Sequence, residues 1–249
     1  YKDLFTLNAT GRSETSSTFG PGNRTLFYPS FNGSFVFTEL NAIKDAGIEK
    51  YLSFGKVRAA YSAVGIEPPV YSTRTYYDPP AVSDGFIQPG LLFPYLGRAG
   101  YTLSDVRGNN KLTPERVRGM EFGMDLRFFY NRVGIDVTYY HETTSNAIFQ
   151  IPVAPSTGYR VFVGNSGELV NQGWEVMLHV RPVETKTRWG LLTWDIDFNY
   201  SRNRSKLVDL YQGVNTIFLG GFTGGSIQAV KGQPYGEIFG LDWLRNEKG

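Results

Sequence analysis

The feature that most constrains this chain is alternation. Over long runs, apolar and polar residues take turns with a period of two, the spacing that sends successive side chains to opposite faces of a strand. Over residues 120–131, Met120, Phe122, Met124, Leu126, Phe128 and Tyr130 share one face. Glu121, Gly123, Asp125, Arg127, Phe129 and Asn131 share the other. Val133, Ile135, Val137 and Tyr139 then oppose Gly134, Asp136, Thr138, Tyr140 and Glu142. Trp174, Val176, Leu178 and Val180 oppose Gly173, Glu175, Met177, His179 and Arg181. Leu192, Trp194, Ile196, Phe198 and Tyr200 oppose Thr193, Asp195, Asp197, Asn199 and Ser201. Weaker runs lie over 5–12, 27–37, 56–62 and 235–243, giving eight expected strands. Many of them reach the ~9–11 residues that a bilayer-crossing strand needs, against ~5–6 in ordinary globular strands.

The links between these runs alternate in length. Short ones are expected near 41–50, at Asn131-Arg132 and over 184–190, and long ones over 13–24, 65–113, 145–167 and 204–233. An up-and-down sheet with one plain rim and one elaborated rim produces this pattern, and outer-membrane barrels have that asymmetry. The Pro-rich stretch 67–94 lies inside the longest link and reads as loop, so no domain boundary is expected. Alternation alone also fits a soluble β-sandwich, which has one apolar and one polar face. Strand length, aromatics near strand ends at Tyr130, Tyr139, Trp194 and Tyr200, and the alternating links favour a lipid-facing wall. The polar face then lines a wet lumen, with Asp125, Arg127, Asp136, Glu175, Arg181, Asp195 and Asp197 on it. Leu126, Ile135, Val137, Ile196 and Phe198 would face lipid.

Composition narrows the chemistry. The 249 residues are 15% aromatic with 29 Gly and only 3 Met, a bias toward β structure. There is no Cys, which excludes disulfides, thiol catalysis and Cys-ligated metal. Two His, at 141 and 179, argue against a multi-His metal site. No apolar run approaches the ~18 residues of a transmembrane helix. A net charge of +2 gives no case for a nucleic-acid partner.

Catalytic patterns are weak throughout, and no enzymatic activity and no cofactor is expected. Gly220 to Gly225 lacks the Lys-Ser/Thr ending of a phosphate loop and reads as a mobile loop. His141 and His179 read as solvated side chains. Asp195 and Asp197 share a face as a glycosidase pair would, but every other expected strand carries the same polar face, so a hydrophilic wall explains them. In the link 65–113, Tyr71, Tyr76, Tyr77 and Tyr95 are candidates for stacking on sugar rings or packing against a partner. A self-packed loop is the competing reading.

Several motifs carry a family resemblance. Leu112-Thr113-Pro114-Glu115-Arg116 precedes Glu121-Phe122-Gly123-Met124-Asp125-Leu126, and the hairpin Arg127 to Arg132 leads into Asp136-Val137-Thr138-Tyr139-Tyr140. Pro155-Ser156-Thr157-Gly158-Tyr159, Asn165-Ser166-Gly167-Glu168 and Asn171-Gln172-Gly173-Trp174-Glu175 follow, then Phe198 to Val208 and Gly232-Gln233-Pro234-Tyr235-Gly236. In order and spacing these resemble the SusC/RagA-like TonB-dependent outer-membrane transporters of Bacteroidetes. The resemblance implies an all-β, antiparallel, up-and-down transmembrane barrel of 22 strands closed by a plug, with residues 1–249 as a partial barrel domain. It further implies an outer-membrane location, energy from TonB–ExbB–ExbD, a SusD-like surface lipoprotein as lid, and import of oligosaccharides or peptides. An independent small barrel with an adhesive or structural role, and a soluble carbohydrate-binding module, are the alternatives.

Overall fold

The structure is a computed structural model, and it describes residues 4–79, 93–211, 213–222 and 224–242. The chain begins with β1 (Phe5–Thr15) and β2 (Thr25–Val36), passes through the short helix α1 (Asn41–Asp45), and continues as β3 (Leu52–Ile66). Three two-residue pieces follow: β4 (Tyr77–Asp78), β5 (Thr102–Leu103) and β6 (Val106–Arg107). Then come β7 (Glu115–Phe128), β8 (Val133–Pro152), β9 (Val161–Thr187) and β10 (Gly190–Asp209). The last three are β11 (Thr216–Phe222), β12 (Gly225–Val230) and β13 (Tyr235–Gly240).

One wall dominates. Its order is β1-β2-β3-β7-β8-β9-β10, each long strand antiparallel to its neighbour in the chain, with β6 added parallel to β9. The register places the expected faces together. Asp125 pairs with Lys56 and Asp136, and Asp136 with Met177. Arg127 pairs with Gly134, Gly134 with His179, and His179 with Asp197. On the opposite face, Met124, Val137, Val176 and Tyr200 form one row across four strands.

Three expectations change in detail. The link expected over 145–167 is mostly strand, because β8 continues to Pro152 and β9 starts at Val161. At ~3.3 Å per residue the 27 residues of β9 extend roughly 90 Å, about three times a bilayer core. The alternation signal weakens above Glu142 because this extension packs against other protein on one side. Second, the run over 120–131 ends at Phe128. Phe129, Tyr130 and Asn131 all have positive φ (52, 56 and 66°) and make the turn, so Tyr130 lies in a turn and not on the wall. Third, Gly220 to Gly225 is no loop between wall strands. It spans the β11–β12 turn, and the expected strand from 235 forms as β13, paired with β12 in a separate three-stranded sheet.

The buried apolar residues sit at the long-link end, in the links and in the outer ends of the wall strands. One cluster joins Phe19, Leu26, Leu112 and Val163. The other joins Leu207, Leu210, Ile217 and Ala229, fastening the β11–β13 sheet to β10. Backbone bonds from Leu207 N to Gln233 O and from Gly232 N to Leu207 O complete that attachment.

Candidate functional site

The wall has two unlike faces. On the apolar face, Leu7 is 73% exposed, Phe122 56%, Trp174 50% and Phe198 57%. In a β-sandwich such side chains pack against a second sheet. Among the described residues no sheet covers them, so the soluble-module reading loses its core. Contiguous apolar area of this extent marks a surface that meets a membrane or a partner.

The apolar stripe has a defined upper edge. Its last residues toward the long links are Met120 on β7, Tyr139 on β8, Trp174 on β9 and Tyr200 on β10. The Tyr139 and Trp174 rings lie 4.9 Å apart. The next positions outward on the same face are Arg118, His141, Gln172 and Arg202. This order, apolar then aromatic then polar or cationic, is that of a membrane–water boundary.

The opposite face is tied by charge. Lys56 Nζ lies 2.5 Å from Asp125 Oδ2, and Arg58 Nη2 donates to Asp136 Oδ1 at 2.9 Å and to Thr138 Oγ1 at 2.6 Å. Asp125 is 6% exposed, so its two cations offset an otherwise costly buried charge. Farther along, His179 Nδ1 lies 2.7 Å from Asp197 Oδ1 and His179 Nε2 lies 3.5 Å from Asp195 Oδ1. Arg181 Nε donates to Asp195 at 2.6 Å. His179, expected as a solvated side chain, is partly exposed and lies between two carboxylates. Asp195 and Asp197 thus both take part in ion pairs across β9 and β10. All seven expected wet-face residues, Asp125, Arg127, Asp136, Glu175, Arg181, Asp195 and Asp197, share this face.

At the long-link rim the β1–β2 link and the β3–β7 link meet around a cavity of about 870 Å³. Arg24, Arg74, Arg107 and Lys111 line it, together with Tyr71 and Phe162. Its walls depend on close backbone approach. Asn109 N donates to Ser72 O at 3.0 Å and Gly108 N to Thr75 Oγ1 at 3.1 Å. A Cβ on Gly108 would stand 2.3 Å from the Arg74 carbonyl carbon, and one on Gly20 would stand 2.2 Å from Asn110 O. Only glycine fits at either place. Phe19, in the lining, is 1% exposed and packs with the fully buried Leu112 behind it.

The four candidate tyrosines separate. Tyr71 lines the cavity and its ring lies 5.8 Å from that of Tyr76. Tyr77 belongs to β4 and Tyr95 bridges to Arg98, both outside the cavity lining and well exposed.

Residues that sequence reasoning noted only as motif letters turn out to be fasteners. Asn165 accepts from Thr113 N at 2.9 Å and donates to the Thr113 and Asn146 carbonyls at 2.6 and 2.9 Å. Glu115 accepts from Ile148 N at 2.9 Å, yet burial still holds its carboxyl above the usual carboxylate range. The Tyr235 phenol is raised first by burial and then by the charge of Glu115. Among the described residues no group of three metal-ligating side chains occurs.

Comparison with known proteins agrees with this geometry. The family model described as TonB dependent receptor-like, beta-barrel matches residues 1–248. TonB-dependent receptor P26 of Formosa agariphila is 29% identical over 88% of this chain and 20% of its own length. TonB-dependent receptor SusC of Bacteroides thetaiotaomicron is 26% identical over 84% of this chain and 20% of its own. The chain thus spans about one fifth of the length of the curated relatives it matches. Among solved structures, the RagAB peptide transporter matches with a TM-score of 0.74 at 21% identity, over 93% of this chain and 23% of the other. A two-faced wall of long antiparallel strands, an aromatic edge and a match along nearly the whole sequence have one explanation: the chain belongs to the TonB-dependent receptor-like β-barrel family of the outer membrane.

Proposed function

We propose that the full-length protein imports a nutrient oligomer, an oligosaccharide or a peptide, across the outer membrane. Energy comes from TonB–ExbB–ExbD, and a SusD-like lipoprotein closes the long-link rim. The observation that carries this reading is the wall itself, apolar and uncovered on one face, charged and ion-paired on the other. In this reading the first face meets lipid. The second, with Asp125, Arg127, Asp136, Glu175, Arg181, Asp195 and Asp197, lines the passage. Tyr71, Tyr76, Tyr77 and Tyr95 lie at the outer rim, where rigid rings give contact area to substrate or lid at low entropy cost. A structural neighbour, RagAB, is a peptide importer, and oligomer transport is the role we take for this protein.

The test is uptake of labelled oligomers by cells carrying the full-length gene, with and without an intact energy-coupling system. Import is expected only with coupling. Uptake that persists unchanged without it would make the protein a passive pore. Co-purification of a surface lipoprotein with the tagged receptor is expected, and its absence would remove the lid from the reading.

A further inference from the structure

Resting on the import reading, we infer that the rim cavity between the β1–β2 and β3–β7 links is a binding site for acidic oligosaccharides, sugars carrying carboxylate or sulfate groups. The first ground is charge. Arg24, Arg74, Arg107 and Lys111 line the cavity, and among the described residues no Asp or Glu lines it; Glu67, outside the lining, accepts from the Thr18 hydroxyl at 3.2 Å. None of the four forms an ion pair with a carboxylate among the described residues, unlike Lys56, Arg58 and Arg181 on the wall; other unpaired cations of the chain, Arg118 and Arg202 among them, do not line the cavity. The partners that the lining cations have are neutral. Arg24 Nε donates to the Phe19 carbonyl at 3.2 Å, and the Arg107 guanidinium lies 5.7 Å from the Phe162 ring centre. Four cations held together without counter-charge raise the local potential and favour an anionic occupant.

The second ground is the remainder of the lining. Ser17, Thr73 and Asn110 supply hydroxyls and an amide, beside Thr18, Thr75 and Asn109, which are partly engaged with Glu67, Gly108 N and Lys111 N. Such groups both donate and accept, as sugar hydroxyls require. Tyr71 adds an aromatic face, held by its contact with Tyr76. Phe19, Val70 and Phe162 supply the apolar part of the lining, against which the carbon faces of a sugar ring can pack. The third ground is rigidity. Gly20 lets the β1–β2 link touch the backbone of the β3–β7 link at Asn110, and Gly108 lets the β3–β7 link close on itself at Arg74, where Asn109 N bonds Ser72 O, so the cations are placed by packed backbone and not by a free loop tip.

The experiment is calorimetric titration of the purified full-length receptor with four probes. They are an oligogalacturonate, its neutral methyl ester, a sulfated oligosaccharide of neutral sugars, and an oligoglutamate. The oligogalacturonate, the sulfated sugar or both should bind, with affinity falling steeply as salt rises, and the binder identifies the anion. Arg74→Gln and Lys111→Gln should each weaken binding by about tenfold, Arg74→Glu should weaken it further, and Lys44→Gln on the opposite rim should leave it unchanged. Salt dependence in the unaltered receptor tests the site even where a variant fails to fold. Equal binding of the methyl ester, stronger binding of oligoglutamate than of either acidic sugar, or wild-type affinity in both Gln variants would overturn the inference. The two readings fail separately. Binding without coupled uptake contradicts import and keeps the site, whereas coupled uptake without charge-dependent binding removes the site and keeps import.

Discussion

The wall and its rim solve opposite problems with the same strands. Along the stripe from Met120 to Phe128 and from Val133 to Tyr139, large apolar side chains point out of the protein and remain uncovered. Above the aromatic edge the arrangement inverts. Leu112, Leu207 and Phe19 are buried, and charged residues such as Arg118 and Arg202 are exposed. β9 and β10 pass through both regimes without a break. The difference shows that strand geometry is indifferent to solvent. What changes is the medium that each stretch of strand meets, and with it the sign of the hydrophobic term.

The sharpest way to break this comparison is at the rim. Leu112→Ala opens a cavity in a closed cluster and should cost about 2–5 kcal/mol, read as a lowered urea midpoint of the full-length receptor in vesicles. On the wall, Phe198→Lys places a charge in the stripe and should cost about 2–4 kcal/mol, while Asn199→Lys, one residue away on the charged face, should cost far less. Equal costs would erase the distinction between faces. Asp125→Asn leaves Lys56 and Arg58 without their shared carboxylate and should cost about 1–3 kcal/mol, with a double variant carrying Lys56→Met recovering part of the loss.

The smallest effect concerns pH. The folded-state pKa of Glu115 is raised by burial, so the folded protein holds its proton more tightly than the unfolded chain does. Its contribution therefore favours folding below the ordinary carboxylate range and is lost as pH rises through the raised value. Glu115→Gln keeps an acceptor for Ile148 N and should flatten that slope. An unchanged pH profile would show that Glu115 is not its source.

The sequence exposed the wall far better than the rim. Inside the stripe each face meets one medium, so hydropathy alternates cleanly and the register of Asp125 with Asp136 follows from it. Above Glu142 that signal fails, because Ile148 and Val163 pack against links remote in sequence. The 145–167 segment therefore read as loop where it is a tall hairpin. His179 was legible as polar but not as lying between two carboxylates, since both lie on the neighbouring strand. The rim cavity was not legible at all. Arg24, Arg74, Arg107 and Lys111 are spread over two links, and only backbone contacts such as Asn109 with Ser72 gather them.

The central claim is that the apolar face meets lipid and the charged face meets water. This chain contains no Cys, which suits it to spin labelling. Nitroxides placed singly from 120 to 128 in the full-length receptor, reconstituted in bilayers, report accessibility to oxygen, which partitions into lipid, and to a water-soluble nickel complex. Oxygen accessibility should peak at 120, 122, 124 and 126, and nickel accessibility at 121, 123 and 125. Two profiles that rise and fall together, or that alternate in the opposite sense, would contradict the account.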